Sequence, residues 1–156
     1  MEQVGFDRQG RAKLRAAYRS GKHSNKHHRR LRSKFRSRVA GAIRSWVRGA
    51  KPRQYPGKPP SKAEQDLGCT MQEFIAYLEL RFQPGMTWAN YGNKQGCWSV
   101  DHIMPLAWFD LRNKAEASKA THYTNLQPLW GKDNTIKSCR AGDRYLDNAM
   151  GITQQT

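Results

Sequence analysis

Five residues in the C-terminal half carry the types and order that phosphodiester hydrolysis needs: Asp101 and His102 side by side, then Asn125, then Asn134 and Lys137. Water attacking a phosphate must lose a proton, and His is the side chain suited to take it near neutral pH. The transition state gains negative charge, which a divalent cation can stabilise. Mg²⁺ needs few protein oxygens, because waters and phosphate complete its shell. One carboxylate, Asp101, and one amide oxygen, Asn134, would suffice. Adjacent strand residues face opposite ways, so Asp101 and His102 divide the labour, one toward metal and one toward the other side of the phosphate. Lys137, three residues after Asn134, is placed to contact a phosphate oxygen. Singly, each residue has a structural reading: an Asp-His pair is common, Asn125 caps a turn, and Asn134 starts a helix. Their order makes them specific.

The elements that must position them are legible. Residues 97–103 read as a short strand, and residues 113–121 as a helix with Asn113 as N-cap. Residues 125–130 read as a second strand whose Pro128 argues for an edge or irregular pairing. A last helix is predicted from about 134 to 141, capped by Asp133 and closed by Gly142. Tyr145, Leu146 and Met150 add a turn that packs back. Upstream, Thr70 and Glu73 make a capping-box pattern for a helix over 70–82. Phe74, Ile75, Leu78 and Phe82 form its buried stripe, Pro84 and Gly85 end it, and Trp88 and Tyr91 anchor the turn-rich stretch that follows.

The phrases WSVDHIMPLAWFDL, HYTNLQPLWGKDNTIKS and, upstream, LGCTMQEFIAYLELRFQPGMTWANYG together resemble the HNH endonuclease family, the ββα-metal or His-Me nucleases, over roughly residues 67–139. The resemblance implies an α+β fold: a ββα-metal core preceded by a helix and by a basic helical segment. It implies His102 as general base, Asp101 and Asn134 as metal ligands, and Asn125 as the residue that ties the connecting loop and orients the histidine. Lys137 falls where the family is often basic. It further implies a phage or mobile-element setting, such as that of a homing enzyme. Two departures matter. Asn134 stands where many members have His, which favours Mg²⁺ or Mn²⁺ over softer metals. The Cys-x-x-Cys pairs that hold a structural zinc in many members are absent, so no structural zinc is expected. His122 is expected to be a packed or exposed histidine rather than a DNA contact.

Charge divides the chain. Residues 1–58 carry the whole net charge of +16, and residues 59–156 are balanced. A dense block of one sign calls for a polyanion, here double-stranded DNA rather than a membrane, because Arg suits bidentate phosphate contacts. Leu31, Phe35, Val39, Ile43, Trp46 and Val47 mark the apolar stripe of a helix over 29–49. Arg29, Arg30, Arg32, Lys34, Arg36, Arg38, Arg44 and Arg48 cover the rest and are read as DNA contacts. Gly41 weakens that helix by about 1 kcal/mol and allows a bend. Residues 1–28 read as poorly structured. His23, His27 and His28 lie there with no acidic residue near in sequence, so no metal is expected on them. Residues 51–62, with four prolines, read as a linker. The expected division is a nucleic-acid-binding segment, 1–58, and a nuclease domain, 59–156, with its core motif at 97–141. Deleting 1–58 should then weaken binding yet leave slow nicking, by a monomer or homodimer. No apolar run suits a bilayer, and no signal peptide is visible. Cys69, Cys97 and Cys139 are odd in number, with spacings that favour free thiols and the cytoplasm. Composition alone would also fit a non-enzymatic basic nucleic-acid-binding protein.

Overall fold

The structure, a computed structural model, describes residues 7–49, 57 and 59–138. The expectations for Cys139, Gly142, Tyr145, Leu146 and Met150 lie outside the described residues. The architecture is α+β, with helices gathered around one two-stranded antiparallel sheet. In order the elements are α1 (Arg8–Arg19), α2 (Lys26–Val47), α3 (Lys62–Leu67), α4 (Met71–Glu79), β1 (Trp98–His102), α5 (Lys114–Thr121), β2 (Leu126–Trp130) and α6 (Gly131–Lys137).

Side-chain caps explain why the helices start where they do. Asp7 accepts from the Gly10 amide at 2.6 Å and opens α1, and Asn25 accepts from the His28 amide at 3.0 Å and opens α2. These caps correct the poorly structured reading of the N-terminal stretch, which from Asp7 onward is mostly helical. Leu14 of α1 packs on a cluster formed by Met104, Leu106, Trp108 and Phe109. The linker expectation is corrected at its end, because α3 begins at Lys62. Ser61 and Glu64 form a full capping box there, and Ala63 and Leu67 are buried. Gly68 ends α3 in the left-handed region at φ 72°. A Cβ at that position would also meet the His122 ring at 2.9 Å, so glycine is required twice over.

Thr70 and Glu73 cap α4 as a box. The helix stops at Glu79, three residues earlier than predicted. Phe82 turns instead into an aromatic cluster, its ring 5.3 Å from Trp88 and 4.9 Å from Trp98.

The apolar packing crosses the charge boundary. Ile43 of α2 is fully buried with Leu67, Phe74, Leu78 and Leu126, while Leu31 and Phe35 of the same helix pack on the second cluster. Val47 stays exposed. The helix runs unbroken through Gly41. Arg38 pairs with Asp66 of α3 at 2.8 Å and lies over the Phe35 ring. Thus α2 is a core helix that also carries cations.

Candidate active site

β1 and β2 pair with Asp101 opposite Gln127 and His102 opposite Leu126. α6 follows β2 without a turn and packs back on both strands. This corrects the predicted start of the last helix: Trp130 is the N-cap, and Asp133 and Asn134 lie inside α6. The junction is tight, since the Gly131 amide bonds the Cys97 carbonyl at 2.9 Å and a Cβ on Gly131 would meet that oxygen at 3.2 Å.

Strand alternation gives the hairpin two faces. Ser99 and Asp101 share the face covered by α6. Asn134 donates to the Ser99 hydroxyl at 3.4 Å, and Lys137 Nζ lies 2.8 Å from Asp101 Oδ2. Gln127 donates to the same Oδ2 at 3.0 Å. Both bonds end on one carboxylate oxygen, and Asp101 Oδ1 takes part in neither. Lys137 is 1% exposed and also donates to the His102 carbonyl. The expectation that Lys137 contacts a phosphate is therefore corrected, because its ammonium is buried and spent on β1.

His102 lies on the other face with Val100, which packs against the apolar cluster that contains Ile43 and Phe74. Burial first, then the Arg36 and Lys137 cations, hold its imidazole far below the ordinary value. At neutral pH the ring is neutral and has a lone pair to offer. The negative charge of a phosphate would pull the other way and raise its proton affinity.

Asn125 closes the connection between the strands. Its amide donates to the Met104 and Ala120 carbonyls at 3.1 and 2.9 Å, and its oxygen accepts from the Met104 amide at 2.9 Å. All these bonds are buried, so Asn125 shapes the loop leaving His102. His122 bonds Thr124 at 2.7 Å and packs over Gly68. Cys69 is half-buried, and burial with nearby Glu73 and Glu64 pushes its thiol up to about 12, away from thiolate chemistry.

Of the eight cations read as DNA contacts, Arg29, Arg30, Lys34, Arg36, Arg44 and Arg48 are exposed. Arg38 is held by Asp66, and Arg32 donates to the His23 carbonyl at 3.1 Å. Sequence reasoning missed Gln127 and the approach of Arg36 to His102. The first was available from hairpin register, which puts Gln127 opposite Asp101. The second required knowing how α2 packs.

No family model matches the chain, and no solved structure matches it. Two proteins of Acanthamoeba polyphaga mimivirus are similar to it, described as Uncharacterized protein L426 and Uncharacterized protein L246. They are 33% and 30% identical over 82 residues, 53% of this chain. The chain spans about a third of the length of these relatives. Among the described residues no helix is long and apolar enough to cross a membrane.

Proposed function

We propose that the chain is a divalent-metal-dependent DNA endonuclease of the HNH type. The observation that carries this reading is the hairpin with its following helix. It presents Asp101 and Asn134 on one face and a neutral His102 on the other, on a loop closed by Asn125. The donors suit a hard cation: one carboxylate oxygen outside the Lys137 and Gln127 bonds, and one amide oxygen. Asp101 and Asn134 would hold Mg²⁺ or Mn²⁺, which supplies electrostatic stabilisation of the charge developing on the phosphate.

The protein's own groups do the rest. His102 takes the proton of the attacking water as general base. Lys137 and Gln127 fix the Asp101 carboxylate in one orientation, and Asn125 fixes the backbone leaving His102. The exposed Arg29, Arg30, Lys34, Arg36, Arg44 and Arg48 bind backbone phosphates. Binding of that kind is salt-dependent and blind to sequence. One site per chain nicks one strand, and a double-strand break needs a second copy or a second event. A cytoplasmic, phage or mobile-element setting belongs to the same proposal.

The test is nicking of supercoiled plasmid with Mg²⁺ or Mn²⁺. His102→Ala is expected to lose about 10²–10⁴-fold in rate while keeping its fold and salt-sensitive DNA binding. Equal nicking by both proteins would sink the catalytic assignment. Strong DNA binding with no nicking in any divalent metal would favour the non-enzymatic reading.

A further inference from the structure

Well away in sequence from the hairpin, the fold brings together three metal-type ligands that the chain holds far apart. His23 precedes α2, His28 lies in its first turn, and Asp110 comes from the connection between β1 and β2. One donor atom from each lies within 4.8 Å of the others. His23 is 4% exposed and His28 is fully buried. The absence of a nearby acidic residue in sequence argued against a metal on these histidines, and packing supplies one from 82 residues away.

Two details point to a ligand. First, His23 Nδ1 is buried with no hydrogen-bond partner. A buried polar atom left unpaired is costly, so such an atom calls for an explanation. Second, the neighbouring groups are already oriented as outer partners of a metal site orient its ligands. His28 Nδ1 lies 3.1 Å from Asn25 Oδ1, which turns Nε2 toward Asp110 Oδ1 at 2.9 Å. Arg112 holds the same carboxylate from outside, with its backbone amide at 3.1 Å and its side chain at 3.2 Å.

We propose that His23, His28 and Asp110 form a structural transition-metal site that clamps the start of α2 to the β1–β2 connection. Two imidazole nitrogens and one carboxylate oxygen make a donor set suited to Zn²⁺, with water as the fourth ligand. The ion takes the place of the hydrogen shared by His28 Nε2 and Asp110, and that hydrogen leaves as a proton. The oxygen pair Asp101 and Asn134 suits Mg²⁺, so the two sites differ in metal preference. The clamp does not depend on the endonuclease reading.

The test is titration of chelator-stripped full chain with Zn²⁺ in a background of excess Mg²⁺, reading stoichiometry and melting temperature. Wild type is expected to bind one Zn²⁺ per chain and to melt at a higher temperature with it. His102→Ala should do the same. His23→Gln, whose metal-free melt shows whether it folds, should lose about 100-fold or more in Zn²⁺ affinity and show no Zn²⁺-dependent rise. Should His23→Gln not fold, the visible spectrum of the Co²⁺-loaded wild type decides: nitrogen ligation retained in His102→Ala supports the clamp, and its loss there overturns it. No uptake by wild type, equal uptake by His23→Gln, or uptake lost in His102→Ala but kept in His23→Gln each overturns the site. Nicking by wild type and His102→Ala reads the other site, so the two proposals fail separately.

Discussion

Lys137 is the most constrained charge near the hairpin. It sits at 1% exposure against Asp101 at 8%, with the His102 carbonyl as a further acceptor. Removing one member of a buried pair leaves the other charge uncompensated. Lys137→Met is therefore expected to cost about 3–5 kcal/mol in denaturant unfolding. Adding Asp101→Leu should recover part of that loss, because the stranded carboxylate goes too; a double variant no more stable than the single would show that packing, not charge, holds the pair. The hairpin geometry was legible where it depended on strand alternation and order, which place Asp101 and His102 on opposite faces. It was not legible where it depended on who fills a face. A lysine in a motif looks the same whether it reaches solvent or folds under its own helix. Arg36 beside His102 and Asp110 beside His28 are likewise properties of packing that no local spacing records.

Glu64 shows how one side chain can set two elements at once. Its Oε2 accepts from the Ser61 amide at 2.9 Å at the start of α3, and its Oε1 accepts from the Met71 amide at 3.1 Å at the start of α4. The backbone bond from Ser61 is the largest cause of a pKa held below the ordinary carboxylate value. A depressed carboxylate stabilises the fold above its unfolded pKa, about 4.3, and that contribution is lost as pH falls through the lower folded value. Glu64→Gln should thus lower stability by about 1 kcal/mol at neutral pH, with the gap to wild type closing in urea titrations below about pH 4. A gap independent of pH would assign the loss to geometry instead. Elements with caps and apolar stripes, such as α4 and the body of α2, were readable because both signals are local. α1 was hidden because its composition is that of a solvated chain, and it gains order from Asp7 and from Leu14 against a distant cluster. The Ser61-x-x-Glu64 signal for α3 was present in the sequence, but the prolines before it dominated the reading. The start of α6 slipped because β2 passes into it with no turn.

At the scale of the molecule, α2 belongs to two systems. It buries Ile43 in one apolar cluster, lays Leu31 and Phe35 on the other, and carries five of the six exposed cations read as DNA contacts, with Arg48 at its C-cap. The expectation that residues 1–58 can be removed to leave a slow nuclease gives way on that packing. Their deletion should abolish the cooperative thermal transition and near-ultraviolet circular dichroism. A sharp melt in the truncated protein would show that 59–156 folds alone. The same double membership gives dissolved salt two opposed effects. The like charges of α1 and α2 repel one another across surfaces the core must hold together, so their repulsion strains the fold as a whole. Raising ionic strength shortens the Debye length from about 10 Å at 0.1 M to about 3 Å at 1 M. The melting temperature of the free protein should therefore rise with salt over the range in which its grip on DNA falls. An ion that loosens the protein from its partner would at the same time tighten it upon itself, leaving the bare protein least stable in dilute buffer.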